Sequence, residues 1–91
     1  MGVKNAKNQA SQPRADFEPS IKTLLRILKT ISENQSIGKT NLSLSTNLNY
    51  DRLSKHISWL EQKGFVRSIV NEGKIHFTLT SNGTHFAEII S

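Results

Sequence analysis

The sequence has no cysteine and no long apolar run, and these two absences exclude several classes of protein. Without cysteine there can be no disulfide, no thiolate zinc site and no thiol nucleophile. No stretch approaches the roughly 18 apolar residues that cross a membrane. The first residues also lack the apolar segment of a secretory signal. We therefore expect a cytoplasmic protein that does not associate with membranes.

The motifs of common enzyme classes are missing as well. The chain has no glycine-rich phosphate loop and no Gly-x-Ser-x-Gly segment. Its histidines, His56, His76 and His85, are not paired with glutamate at the spacing that ligates a metal. We therefore expect no catalytic activity, no metal site and no other cofactor. His56 is expected to border the core, and His85 to lie on a helix surface.

The charge is positive but unevenly distributed along the 91 residues, which are enough for one small domain. The net charge is +5, and a basic balance favours a polyanionic partner. Lys4, Lys7 and Arg14 give residues 1–15 a charge of +3, whereas nine bases and seven acids leave +2 for residues 16–91. The first segment is poor in apolar residues, so we expect a disordered basic arm followed by one folded domain.

Two helices are predicted in the first half of the domain. The first, at about residues 19–34, has an apolar stripe at helical spacing, formed by Ile21, Leu24, Leu25, Leu28 and Ile31. The second is short and weak by propensity, with Thr40 as its N-cap. Leu42, together with Leu44 or Ser45, is expected to face the core.

The third helix is predicted at about residues 50–63, and both of its ends carry signals. Asn49 is a favourable N-cap residue. Leu48 and Leu53 have the spacing of a hydrophobic staple around that cap. Gly64 stands where a residue with positive φ would end the helix.

After Gly64 the apolar period changes from that of a helix to that of a strand. Residues 65–70 and 75–79 are predicted strands joined by a turn at 71–74. The residues expected to face inward on the second strand are Ile75, Phe77 and Leu79. Thr80 is expected to cap a final helix at about residues 81–90. The order predicts an α+β, mainly α, winged helix-turn-helix fold: three helices, a β-hairpin wing and a short C-terminal helix.

The third helix carries a polar face opposite its apolar stripe of Leu53, Ile57 and Leu60. Arg52 or Lys55 near its start could donate to guanine O6 and N7 in a major groove, and the residues at its mouth could bond phosphates. The candidate DNA-binding residues are Lys39, Asn47, Asn49, Tyr50, Asp51, Arg52, Ser54, Lys55, Ser58, Arg67 and Lys74. Gln62 lies on the same face. The alternative is an ordinary solvated helix surface.

The predicted wing adds a weaker signal. Lys74 and the backbone of Asn71 and Gly73 could reach a minor groove or a phosphate, although Glu72 opposes this. Arg67 and His76 are expected on the outer face of the hairpin. Trp59 is expected at a boundary, packed against the wing or the first helix.

A series of short motifs in fixed order spans residues 38–83, about half of the chain. They are GKTNL at 38–42, NLNY at 47–50, KHI at 55–57, LE at 60–61, KGFV at 63–66 and FTLTSNG at 77–83. This series resembles an archaeal winged-helix family of small transcriptional regulators related to the MarR-like group. His56, Phe65 and Phe77 depart from the usual Tyr, Leu and Tyr. The resemblance implies DNA binding and regulation, but no target sequence.

The expected function is therefore sequence-specific binding of double-stranded DNA by a transcriptional regulator associated with the nucleoid. The alternative is a winged helix used as a protein–protein interaction module, because one fold serves both uses. We expect a homodimer, with the first helix around Ile27 and the last helix around Phe86 and Ile90 as candidate surfaces. The alternative is a monomer that needs all these side chains for its own core.

Overall fold

Residues 17–91 are described by the computed structural model, and the expected arm at residues 1–15 lies outside the described part of the chain. The elements follow the order predicted for a winged helix, with one additional short strand. They are α1 (Ile21–Asn34), β1 (Ile37–Gly38), α2 (Lys39–Thr46), α3 (Tyr50–Gln62), β2 (Val66–Asn71), β3 (Lys74–Leu79) and α4 (Ser81–Ile90). The mainly helical α+β fold is confirmed.

Helix α1 begins two residues later than predicted. Ser20 is its N-cap, and the Ser20 hydroxyl accepts a hydrogen bond from the Thr23 amide at 3.2 Å. Pro19 therefore precedes the helix rather than starting it. Of the predicted stripe, Leu24, Leu28 and Ile31 are fully buried, but Leu25 is half-buried and Ile21 is 54% exposed because it lies in the first turn, beyond the edge of the core. Among residues 17–91, the buried core consists of Leu24, Ile27, Leu28, Ile31, Ile37, Leu42, Leu48, Leu53, Ile57, Leu60, Val66 and Phe77.

Helix α2 differs from its prediction in its cap and in its buried face. Its N-cap is Gly38, not Thr40. Leu42 is buried as expected, but Leu44 is 74% exposed and Ser45 is also exposed. The second buried residue is Thr46, one turn after Leu42, and its hydroxyl donates to the Leu42 carbonyl at 2.6 Å. That internal bond satisfies the buried hydroxyl, which makes burial of a polar residue tolerable.

The short strand β1 was not predicted. Ile37 pairs with Phe77 and Gly38 pairs with His76, both antiparallel. The sheet order is therefore β1–β3–β2, with β3 in the centre. Two residues are too few to show an alternating pattern, so the pairing is set by where α1 ends rather than by local sequence.

Strands β2 and β3 form the predicted hairpin. Glu72 and Gly73 make its two-residue turn, with φ of 53° and 77°, which is the geometry of a type I′ loop. Phe77 on β3 is buried and Leu79 is half-buried, as expected, but Ile75 is 58% exposed. The prediction that Ile75 faces the core was wrong because the hairpin extends beyond the helices at that point.

Helix α4 is capped as predicted by Thr80, whose hydroxyl accepts from the Gly83 amide at 3.0 Å. Phe86 on this helix stacks on Phe65, with ring centroids 4.2 Å apart. Trp59 packs beside both rings, with centroid distances of 6.3 and 6.2 Å. The boundary position expected for Trp59 is confirmed, but its partners are Phe65 and α4 rather than α1.

Candidate nucleic-acid interface

Helices α2 and α3 are joined by a tight turn. One asparagine of this turn ends α2, and the other caps the start of α3. Asn47 ends α2 in the left-handed conformation at φ 59°, and its amide donates to the Leu44 carbonyl at 3.3 Å. Asn49 begins α3, and its side-chain oxygen accepts from the Arg52 amide at 2.8 Å. Both side chains are exposed. The oxygen of Asn49 is thus committed to the cap, as the sequence predicted.

The N-termini of α2 and α3 bring together three exposed polar side chains, which we call the Lys39 cluster: Lys39, Thr40 and Tyr50. The hydroxyls of Thr40 and Tyr50 are 2.7 Å apart, and the Lys39 ammonium lies 5.3 Å from the centre of the Tyr50 ring. The positive ends of two helix dipoles lie beside them. This arrangement of an ammonium and two hydroxyls has the chemistry of a phosphate contact. Thr40 was not among the predicted site residues, because sequence reasoning used it as a cap.

The outward face of α3 is solvent-exposed along its length. Asp51, Lys55, Ser58 and Gln62 are all exposed, whereas Ser54 is half-buried. The Lys55 ammonium lies 3.3 Å from a carboxylate oxygen of Asp51, and the Lys55 side chain is 59% exposed. An exposed ion pair of this kind contributes only about 0.3–0.5 kcal/mol, so Lys55 is free to exchange partners.

Arg52 is oriented differently from Lys55. Its guanidinium Nη2 donates to the Thr23 hydroxyl of α1 at 3.2 Å. Its backbone carbonyl accepts from Nδ1 of His56 at 2.8 Å. Arg52 therefore joins α3 to α1, whereas Lys55 points outward. Angular spacing alone placed both residues on or beside the outward face and did not distinguish them.

His56 makes the second bond between these two helices. The ring is buried, its Nε2 accepts from the Ser20 amide at 3.2 Å, and the Phe17 ring meets it edge-on at 5.0 Å. Burial lowers the pKa of His56 below 6.5; the hydrogen bond to the Arg52 carbonyl opposes this, and the Arg52 charge adds to it. A neutral ring can donate at one nitrogen and accept at the other, as both bonds require. The expected border position of His56 is thus a buried one.

The wing presents two chemically different faces. Directly paired residues share a face, so Arg67, His76 and Lys74 lie on one side of the hairpin. Arg67 and Lys74 are exposed, while His76 is half-buried beside Gly38 of β1. On the other face the Ser68 hydroxyl donates to the Glu61 carboxylate of α3. This bond fixes the wing against the helix, with the face that carries Ser68 toward α3.

Residues 17–91 contain no cluster of histidine and carboxylate side chains arranged to hold a metal ion. Over the same residues, no helix combines the length and the apolar character needed to cross a membrane. His85 is exposed on α4, as expected.

A family model described as winged helix-turn-helix matches residues 20–91, which include every helix and strand of the structure. The chain belongs to the winged helix-turn-helix family. The winged helix-turn-helix part of the resemblance is thereby confirmed, and the match extends to α1 and α4. No curated protein matches the chain.

Solved structures of other winged-helix proteins superpose well at low identity. Sso10a-2, a DNA-binding protein from Sulfolobus solfataricus, is 16% identical with a TM-score of 0.72 over 80% of this chain and 75% of that one. Oxidised MarR from E. coli is 21% identical with a TM-score of 0.71 over 84% and 54%. A MarR mutant complexed with operator DNA is 19% identical with a TM-score of 0.70 over 84% and 54%. The chain thus spans about half the length of these MarR chains, and the likeness establishes the fold.

In the terms of this family, α2 and α3 are the helix-turn-helix and β2–β3 is the wing. The predicted candidates fall into three groups in space. The first group surrounds the helix N-termini (Lys39, Asn47, Asn49 and Tyr50), the second lies along α3 (Asp51, Arg52, Ser54, Lys55 and Ser58), and the third lies on the wing (Arg67 and Lys74).

Proposed function

We propose that the protein binds double-stranded DNA sequence-specifically and regulates transcription, with α3 in the major groove and the wing on the adjacent backbone or minor groove. The observation that carries this proposal is the exposed polar face of α3 beside the Lys39 cluster. Side chains suited to reading bases and side chains suited to binding phosphates thus lie next to each other at the same end of α3. The proposal contains no catalytic step, and it implies a location at the nucleoid.

Lys55 is the first candidate for base recognition. It lies in the second turn of α3, and its side chain forms a weak ion pair with Asp51. Arg52 would first have to leave the hydroxyl of Thr23. Ser54 and Ser58 are the polar neighbours of Lys55 on the helix, and an amine donating to guanine O6 and N7 is a common specific contact.

Phosphate binding is assigned to the Lys39 cluster, to Asn47 and to the basic residues of the wing. Lys39 and Tyr50 offer donors beside the two helix N-termini. Arg67 and Lys74 share one face of the hairpin and would contact the backbone outside the α3 site. These contacts fix position and orientation without reading sequence.

The test begins with sequencing of protein-bound genomic DNA, which identifies the site. Binding isotherms are then measured on the site and on a scrambled duplex at several salt concentrations. Lys55→Ala should weaken specific binding by about 1–3 kcal/mol and relax the sequence preference. Lys39→Ala should weaken binding to both duplexes alike and reduce the salt slope by about one.

The matched control is Lys22→Ala, which removes an exposed lysine from α1. It should leave specific binding unchanged apart from a small salt-dependent effect. If Lys55→Ala binds the site as the wild type does, α3 is not the reading element. If no duplex binds with a steep salt dependence, the interpretation as a protein–protein interaction module takes precedence.

We also propose a homodimer, but its contact surface differs from the one predicted from the sequence. Ile27 is fully buried and cannot contribute. On α4, Ile89 is 67% exposed and Ile90 is half-buried. Helices α1 and α4 also flank an open groove of about 390 Å³, lined partly by Leu25. Sedimentation tests this directly, because a mass near 10.2 kDa would exclude the dimer.

A further inference from the structure

Two exposed apolar side chains face each other near the tip of the wing. Val70 of β2 pairs directly with Ile75 of β3, and the two side chains are 76% and 58% exposed. They lie on the same face as Ser68, which bonds to Glu61 of α3. The pair therefore extends the surface of the wing that is turned toward α3.

The folded domain does not use this pair for its core. Toward the base of the hairpin the same face ends in Val66 and Phe77, which are buried. Val70 and Ile75 lie beyond that boundary, so their apolar surface remains in water. The preference of strands for β-branched residues does not by itself explain an apolar side chain at these two positions. Threonine is also β-branched and favours strands.

We propose that Val70 and Ile75 form an apolar element that enters the minor groove next to the α3 site. This inference rests on the proposed function. Apolar side chains that enter a minor groove widen it and partly unstack a base step. Pyrimidine–purine steps such as TA deform most easily. The pair would therefore give the protein a preference for TA-containing flanks without a hydrogen bond to any base.

Lys74, the basic residue nearest to the pair in the chain, supports DNA as its occupant. Lys74 lies next to Ile75 in the chain and on the opposite face of the hairpin, where it can reach a phosphate bordering the groove. Of the two carboxylates near the pair, Glu61 already accepts from Ser68, and Glu72 lies in the exposed turn beyond the pair. A second copy of the chain is a poor occupant, because two side chains expose far less than the roughly 800 Å² per partner of a stable interface.

The test is the double variant Val70→Thr with Ile75→Thr, measured on a site with TA-containing flanks and on one with stiff A-tract flanks. Threonine keeps the β-branch but replaces a methyl or ethyl group with a hydroxyl. With about 60 Å² of apolar surface covered on binding, the Kd for the TA-flanked site should rise about tenfold. The salt slope should stay unchanged because no charge is lost, and the preference for TA flanks should disappear.

Two other variants distinguish this effect from general ones. Lys74→Ala should reduce the salt slope by about one and keep the flank preference. Ile21→Ala removes a comparably exposed apolar side chain, 54% exposed, from the start of α1 and should change neither quantity. Thermal melts of all variants report whether the hairpin remains folded.

Several outcomes would overturn the inference. The double variant binding both duplexes as the wild type does would show that the pair serves only the hairpin. An affinity loss fully explained by a lower folded fraction would show the same. Wild-type self-association that the double variant abolishes would assign the pair to a second copy. Since Lys55→Ala is measured in parallel, loss of the α3 contact and loss of the wing contact remain distinguishable.

Discussion

Replacing Gly83 with alanine tests how closely α4 packs against the chain between α3 and the wing. Gly83 is buried in the first turn of α4. A Cβ there would lie 1.9 Å from the carbonyl oxygen of Phe65 and 2.8 Å from its carbonyl carbon. Both atoms belong to the backbone and cannot rotate away. Helix α4 must therefore move outward by more than about 1 Å to reach ordinary contact distance.

The cost follows from what that movement disturbs. Overpacking alone costs about 1–3 kcal/mol. The Thr80 amide bonds to the Phe65 carbonyl at 3.1 Å, and the Thr80 hydroxyl bonds to the Gly64 carbonyl at 2.6 Å. The movement weakens both bonds, which adds about 1 kcal/mol for each, or about 2 kcal/mol together. The higher helix propensity of alanine offsets up to about 1 kcal/mol of this destabilisation. The expected net loss in the free energy of unfolding is about 2–4 kcal/mol.

Urea and thermal unfolding followed by circular dichroism measure this loss. A domain of this size shifts its Tm by about 4–8 °C per kcal/mol, so Gly83→Ala should melt at least about 8 °C lower. The matched control is Asn82→Ala, the exposed neighbour on the same turn, which should change stability by less than about 0.5 kcal/mol. A Gly83→Ala variant within about 0.5 kcal/mol of the wild type would refute the close approach.

Two further predictions concern the bonds between α1 and α3. Burial lowers the pKa of His56 in the folded state. The free energy of unfolding should therefore have its full value above pH 6.5 and should decrease as the pH falls through that lowered pKa. His56→Gln should remove this loss in urea unfolding and His85→Gln, at an exposed site, should retain it; an equal wild-type stability at about pH 7.5 and about pH 5 would contradict the assignment. Arg52→Ala should cost about 1 kcal/mol because it leaves the buried hydroxyl of Thr23 without its guanidinium donor, and a variant that unfolds like the wild type would show that this bond contributes nothing.

Local signals were sufficient to predict α3. The Asn49 cap and the change of direction at Gly64, with φ 80°, each depend on residues within one turn of the helix end. The staple residues Leu48 and Leu53 are both buried around that cap. Such signals act through short-range sterics and hydrogen bonds, so they can be interpreted without knowledge of the rest of the fold.

The features that the sequence did not predict correctly have a common cause: each depends on contacts between residues that are distant in the chain. Strand β1 exists because α1 delivers Ile37 next to Phe77, forty positions away. Leu44 is exposed and Thr46 buried because the direction from which α1 packs decides which face of α2 is covered. Ile75 continues the alternation of its strand beyond the edge of the core. Periodicity defines a face, but the extent of the neighbouring elements decides where burial on that face ends.

The candidate site shows the same division. Angular spacing correctly placed Lys55 and Ser58 on an exposed face. It could not predict that Arg52 would bond to Thr23, because that partner lies 29 positions earlier in the chain. It also missed Thr40, whose relevance comes from its contact with a tyrosine of another helix.

The polar bonds around α3 separate the residues that hold this helix from those that are free to meet a partner. Pairs on its flanks join it to the N-terminal end of α1 and to the wing: Arg52 with Thr23, His56 with Ser20 and Glu61 with Ser68. Lys55, by contrast, pairs with Asp51 of the same helix, so a change of partner there leaves the packing of α3 intact. A helix fixed in advance loses little further freedom on binding, which favours affinity. If α3 binds DNA as proposed, substitutions at Lys55 should therefore report on binding alone, whereas those at Arg52 will combine binding with stability.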